Sequence, residues 1–447
     1  MRTVPRDAPP EPEPPPPPPP PPTRRERREE QKRQRVDRRA RTTKARWIRR
    51  GIAIAVIVLL IPVGWSYVHA LQRPGTDSVG IRTVEWIRDH GGNGIVNTIE
   101  RWWYTNNPPP TGGRPDRIAL QGTGGDVPVT TKVPSPTVPP QPEHLPPPRL
   151  RVNTPAPTAE QNEGVWMPVG RQVGGLPAEY ITFVRPDAVH TSYYVALMWL
   201  DTKLLKSVYV PGLQEPGGGP NPWNSEIPDD QRSTLIAAFN SGFKMDSARG
   251  GVYFGGQEVR PLVDGAASLV IRSDGSATVG MWGRDATMGP DIAVVRQNLE
   301  LLVDNGQLNP ALRENDTSAF GATLGNNVYV WRSAVGVDAN GALIYAGGNA
   351  LSVLSLAKTL QAAGAVRAME LDINTDWVSA FTYVNQDPND PNSPVIGIKL
   401  GGDMARGPDR YFQPGERDFF AFFADPKFQQ PAAPTTTTRT PPTTTRR

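Results

Sequence analysis

In the stretch AVRAMELDINTDWVSAF, residues 365–381, an oxygen-bearing side chain stands at every second position: Glu370, Asp372, Asn374 and Asp376. Read as a strand from Val366 to Trp377, the alternation places these four on one face and Met369, Leu371, Ile373 and Trp377 on the other. Like charges in such a row persist only beside a cation, a cationic side chain, a shared proton or open water. Two carboxylates on one strand face have Cα atoms about 6.6 Å apart, at two rises of about 3.3 Å. Paired carboxylates are also what glycoside hydrolysis uses, one as acid and the other as nucleophile or base. The spacing Asp372-x-Asn374-x-Asp376 also matches the first half of a calcium loop. Trp377 and Tyr383 stand where that loop needs glycine and glutamate, which leaves only a looser calcium site as the alternative.

The residue inventory narrows the chemistry. The chain has no cysteine, which excludes disulfides, thiolate catalysis and cysteine-ligated zinc. Its four histidines, His69, His90, His144 and His190, exclude a multi-histidine metal site or a helical HExxH site. His190, in DAVHTSYYVALMW, has no GxSxG elbow to serve and reads as structural. Of the 48 Lys and Arg, 16 fall within residues 1–50 against 7 Asp and Glu there, so the remainder is mildly acidic and has no basic patch for nucleic acid. Chemistry falls to carboxylates, arginine, hydroxyls and amides. GVYFGGQ, residues 251–257, is glycine-rich without the context of a phosphate loop, and Asp304-Asn305-Gly306 reads as a turn.

AAFNSGF at 237–243, LLVDNGQL at 301–308, WRSAVGVDANGAL at 331–343, LSLAKTLQAAGAVRAM and then ELDINTD occur in an order that resembles the phosphodiester glycosidase family. The resemblance runs over roughly 235–381, and it rests on the order and spacing of motifs rather than on any one of them. Asn240 matches the asparagine of the family's N-G-x-F, Arg332 the arginine of R-T-A-I-G, and Asp372 the aspartate of L-D-G-G-x-S. Ile373 and Asn374 replace that last motif's glycines, which let backbone amides approach a ligand. The resemblance implies hydrolysis of a glycosyl phosphodiester, with Asp372, Glu370 and Arg332 as catalytic residues and Asn240, Asn374 and Asp376 as substrate-binding residues. A planar guanidinium suits Arg332 to the departing phosphate. No metal and no cofactor is implied beyond the calcium alternative.

Elements must position these groups. From about Arg149 to Lys427, short apolar or alternating runs are separated by Gly, Pro, Asn and Asp turns, the pattern of many strands. RSDGSA and VDANGAL are hairpin signals. PDIAVVRQNLELLVDNG spaces Ile292, Val295, Leu299 and Leu302 as a helix would. ALSVLSLAKTLQAAG places Leu351, Leu354, Ala357 and Leu360 on a helical face closed by Gly364, and delivers the chain into the acidic strand. The expected fold is α+β, a mixed, sheet-rich domain with packed helices, preceded by one transmembrane helix and proline-rich linkers.

The divisions expected are a basic, proline-rich cytoplasmic arm (1–50), a transmembrane helix (51–70), juxtamembrane amphipathic helices broken at Gly91-Gly92 (71–107), a proline-rich linker (108–148), the phosphodiester glycosidase-like domain (149–427) and a Thr/Pro tail (428–447). Residues 51–68 carry no charge and are long enough to cross a bilayer core, with Trp47, Trp65 and Tyr67 at interfacial positions. The basic residues before them set the N-terminus in the cytoplasm and the domain outside, in a single-pass protein of the cell membrane. Residues 78–107 would either lie on the outer leaflet or cover part of the domain. Partners are then membrane lipid and an envelope glycan or sugar-phosphate substrate. The competing reading is a non-catalytic glycan-binding or scaffolding module with the same fold.

Overall fold

The structure is a computed structural model, and it describes residues 24–73, 77–116, 143–147, 150, 160–316, 318–321, 323, 327–390 and 392–428. The proline run before Thr23, most of the linker and the Thr/Pro tail lie outside the described residues. The chain divides into two compact units, Met1–Leu71 and Gln72–Arg447. The first is helix α1 (Arg24–Leu71), whose portion Arg49–Leu71 has a mean hydropathy of 2.3 and is long and apolar enough to cross a membrane.

The second unit opens with α2 (Val79–Asp89) and α3 (Asn93–Asn106), which meet at Gly91-Gly92. Ser78 caps α2, its Oγ accepting from the Ile81 amide. Strands follow: β1 (Met167–Val173), β2 (Leu176–Val184), β3 (Val195–Leu200) and β4 (Leu205–Val210), then a single turn α4 (Asp229–Arg232), β5 (Leu235–Asn240) and a second turn α5 (Met245–Ala248). Next come β6 (Val252–Phe254), β7 (Gln257–Arg260), β8 (Ala267–Arg272), β9 (Ala277–Met281), β10 (Ile292–Gln297), β11 (Leu301–Asp304) and β12 (Gln307–Leu308). The chain then runs through β13 (Val330–Asp338), β14 (Leu343–Leu351), α6 (Val353–Ala362), β15 (Ala365–Glu370), β16 (Ala380–Asn385), β17 (Val395–Lys399) and β18 (Phe419–Ala424).

Among the described residues these strands form three antiparallel sheets: β1-β2-β3-β14-β13-β15-β11-β12, β7-β6-β10-β8-β9 and β17-β16-β5-β18-β4. The eight-stranded sheet is buried on both faces, as the wholly apolar β3 requires. Ala196, Met198 and Leu200 point into a core shared with strands of the other two sheets, while Val195, Leu197 and Trp199 point toward α6. On β13, Val335 and Val337 join the first core and Ala334 the second, so Arg332 lies on the α6 side and Ser333 on the other. Both predicted hairpins form, β8 with β9 and β13 with β14.

Three expectations are corrected. PDIAVVRQNLELLVDNG is not a helix but β10 and β11. A register shift between Ile292 and Val294 spaces the inward residues Ile292 and Val295 by three, and Leu299, at φ +56°, separates the two strands. In the sheet-bearing part of the chain α6 is then the one helix of more than a turn among the described residues. It is capped by Ser352 and ended by Gly364 at φ +95°, and it buries Val353, Leu356, Ala357 and Leu360, with Leu351 still in β14. The acidic strand stops at Glu370. Asp372 Oδ1 accepts from the Asn374 amide and Asn374 Oδ1 from the Asp376 amide, both at 2.9 Å, and these two side-chain turns curl the chain out of the ladder before Asn374 and Asp376 can extend it.

Candidate active site

Arg332 and Glu370 are brought together by adjacent strands. β13 pairs with β15 so that Ala334 lies opposite Glu370, and both charged side chains point to the α6 side of the sheet. Arg332 Nη1 donates to Glu370 Oε1 at 2.6 Å and Nε to the Leu351 carbonyl at 2.9 Å; both residues are fully buried. Among the described residues, Arg332 Nη2 and Glu370 Oε2 have no hydrogen-bond partner. Burial pushes the Glu370 carboxyl up to about 7, against the opposing pull of Arg332. A carboxyl that titrates near neutrality is suited to giving and taking a proton. Arg332, expected on the phosphate, is committed instead to Glu370 and a backbone carbonyl through Nη1 and Nε.

Asp372 is held from the opposite face of β13. Ser333 exchanges backbone hydrogen bonds with Leu371 and Asp372, and its Oγ accepts from the Asp372 amide at 3.1 Å. Asn240, at the end of β5, donates to that same Oγ at 3.0 Å and to the Ser241 carbonyl, and accepts from the Tyr345 hydroxyl and the Ser379 amide. All four hydrogen-bonding positions of its amide are taken, so Asn240 fixes Ser333 and offers nothing to a sugar. Asp372 Oδ2 accepts from Arg417 Nη2 at 2.9 Å. Burial raises the Asp372 carboxyl from its usual range, and the Arg417 charge opposes that.

Sequence reasoning missed Asn298, Arg417, Arg406 and Arg410. Asn298 Nδ2 donates to the carbonyls of Glu370 and Leu371, and its Oδ1 accepts from the Phe243 amide, tying the end of β15 to the turn after Asn240. Arg406, Arg410 and Arg417 gather their guanidinium groups over the Trp377 ring at 4.7, 5.0 and 5.0 Å. Arg406 also donates to the Asp376 carbonyl. Asp376, expected to bind substrate, has its carboxyl raised by burial, with Arg406 acting the other way.

Residues of the segment 77–106 contact this end of the domain. Asp77 accepts from Arg406 Nη1, Glu85 lies 2.6 Å from Lys244 Nζ, and Arg73 lies 3.0 Å from Glu416. Trp102 and Trp103 remain exposed. A cavity of about 500 Å³ lined by Arg249, Asp264, Glu300, Asp304 and Asn309 contains none of Asn240, Arg332, Glu370, Asp372, Asn374 and Asp376. Among the described residues no three acidic or histidine side chains converge as a metal cage would. His190 is buried, with Nδ1 2.9 Å from Asp187 Oδ2 and its ring against Tyr329, away from these groups.

No curated protein matches the chain. Among solved structures, a zebrafish N-acetylglucosamine-1-phosphodiester alpha-N-acetylglucosaminidase catalytic domain is 16% identical, with 55% of this chain and 82% of that one covered and a TM-score of 0.35. A hypothetical protein from Synechocystis is 13% identical (56% and 63% covered, TM-score 0.30), and an exported protein from Burkholderia pseudomallei is 10% identical (56% and 75% covered, TM-score 0.21). The model of the phosphodiester glycosidase family matches residues 233–373, the stretch that carries Asn240, Arg332, Glu370 and Asp372, and over that stretch the resemblance drawn from the order of the motifs holds.

Proposed function

We propose that the second unit hydrolyses a glycosyl phosphodiester of the cell envelope, and that the apolar part of α1 anchors it to the outer face of the cell membrane. The observation that carries this reading is the family match over 233–373, whose C-terminal end contains the two buried carboxylates. Water displaces the phosphate at the anomeric carbon. Glu370, titrating near neutrality, handles the proton, and Asp372 acts at the anomeric carbon as base or nucleophile. Arg332 positions Glu370, and Asn240 acts through Ser333 to position Asp372.

The test is turnover of alpha-N-acetylglucosaminyl phosphodiesters by the full chain in detergent, beside Glu370→Gln and Asp372→Asn. Each variant is expected to lose at least about a hundredfold in kcat while still unfolding in one cooperative melting transition. A second reading, a glycan-binding module with this fold, is favoured by the complete burial of Arg332 and Glu370. Saturable glycan binding without turnover across a broad sugar panel decides for it.

A further inference from the structure

The solvent-facing apolar side chains of the second unit are not spread evenly. Among its described residues the five most exposed large ones are Val79, Ile95, Ile99, Trp102 and Trp103, at 57% to 64%, and all lie in α2 or α3. The next, Val165 and Val189, are 52% exposed. On α3 the spacing i, i+4, i+7 and i+8, at about 100° per residue, sets Ile95, Ile99, Trp102 and Trp103 within an arc of about 100°. Val96, on the adjoining side of the helix, is buried. Two isoleucines and two indoles side by side make a contiguous apolar stripe, and an exposed stripe of this kind marks an interaction surface.

The other side of the helix pair is committed to protein. Glu85 is buried on Lys244 at 2.6 Å, which fastens α2 to the start of α5. Arg88 Nη2 donates to Glu100 Oε1 at 2.7 Å, which fastens α3 to α2. Glu100 is the one carboxylate of α3, so no acidic group of that helix stands on the stripe to repel lipid phosphates. Chain length decides what the stripe meets. Residues 72–78 join Leu71, the end of the apolar span, to Val79, and fully extended they reach at most about 30 Å. A bilayer crossed by α1 stays within that distance of the helix pair, which a partner arriving by diffusion does not.

We infer that the α3 stripe is a membrane-docking surface, lying in the outer leaflet of the membrane that α1 crosses, with the indoles of Trp102 and Trp103 at headgroup level and Ile95 and Ile99 against the acyl boundary. The inference rests on the reading of α1 as an anchor and goes beyond it, since an anchored domain without such a surface is free to tumble about residues 72–78. Residues 77–106 then meet both expected surroundings at once, the domain through Asp77 and Glu85 and lipid through α3. The hydrolase reading plays no part in it.

The chain has no cysteine, so single substitutions in the full chain place a nitroxide at chosen sites. In bilayer discs of phosphatidylcholine and phosphatidylglycerol, labels on Ile95→Cys and Ile99→Cys are expected to collide more with oxygen than with an aqueous nickel chelate, as a label on Leu59→Cys within the apolar span does. Labels on Val165→Cys and Ile396→Cys, exposed elsewhere on the unit, are expected to show the reverse. Trp102→Ser with Trp103→Ser is expected to shift the Ile99→Cys label to the pattern of Val165→Cys while the protein still unfolds in one cooperative transition, because both indoles are exposed. Nickel collisions at Ile95→Cys and Ile99→Cys equal to those at Val165→Cys overturn the inference, as does a label that keeps its depth without the two tryptophans. Shielding from both reagents means that protein covers the stripe, and dipolar broadening that unlabelled protein dilutes away means that a second copy does; either result overturns it too. Aqueous exposure at Leu59→Cys sinks the anchor reading, and oxygen-rich contact at Ile95→Cys and Ile99→Cys beside it leaves the docking surface standing as a peripheral one.

Discussion

Glu370 is paired through one oxygen and unsatisfied at the other, in a site with no exposure to water, and burial outweighs the attraction of Arg332. Its carboxyl titrates at about 7 in the folded chain against 4.5 for the ordinary group. Between those values the unfolded chain has lost its proton and the folded chain has kept it, so this residue's contribution to stability falls as pH rises from 4.5 to about 7 and is flat outside that window. The amount is on the order of 3 kcal/mol. Glu370→Gln removes the titration, so its stability relative to the parent is expected to climb across that window, read from urea midpoints at stepped pH. Parallel curves for the two proteins show that Glu370 is ionised when folded. At this scale the sequence was partly legible. The alternation of acids pointed to Glu370 and Asp372, and the motif order pointed to Arg332 and Asn240. Their true partners were not legible, because Arg417 lies 45 residues from Asp372 and Asn298 lies 72 from Glu370, with no local pattern to link them.

The elements that bring Arg332 to Glu370 are β13 and β15, and their close approach depends on Gly336. A Cβ there would meet the Ala365 Cβ and the Arg367 carbonyl oxygen, both at 2.9 Å, so the strands would have to separate. Gly336→Ala is expected to lower stability by about 1–3 kcal/mol and to reduce turnover by shifting Arg332 against Glu370. An unchanged urea midpoint means that the ladder yields freely at this point. Ser352→Ala, which removes the cap of α6, is expected to cost about 1 kcal/mol without affecting turnover. Hairpins and α6 could be read because their signals are local: turn residues at fixed offsets, a capping serine and a closing glycine. The helix expected over 290–306 failed because a bulge in β10 imitates helical spacing. The acidic strand was read too long because its Asp and Asn residues bond to their own backbone and end it.

For the molecule as a whole, the legible feature was the change in composition along the chain. An uncharged run of 18 residues behind a basic arm reads as a membrane anchor, and α1 supplies one helix from Arg24 to Leu71 to hold it. How residues 78–107 attach was not legible, since tryptophans that suit a lipid surface also suit a protein one. The attachment is made by charges far apart in sequence, Asp77 with Arg406 and Glu85 with Lys244. Burial works to raise the Glu85 carboxyl, yet the charge and hydrogen bond of Lys244 bring it below its usual range, so the contact is an ionised pair in neutral solution. The orientation argued from the basic arm has a direct consequence, because basic residues beside an apolar span are retained on the cytoplasmic side. Protease added to intact cells that lack an outer barrier is expected to degrade the second unit and to spare a fragment containing α1, while washing membranes with alkaline carbonate releases neither. Survival of the second unit in intact cells, with digestion only after lysis, would place it inside and remove envelope glycans from the substrates open to it.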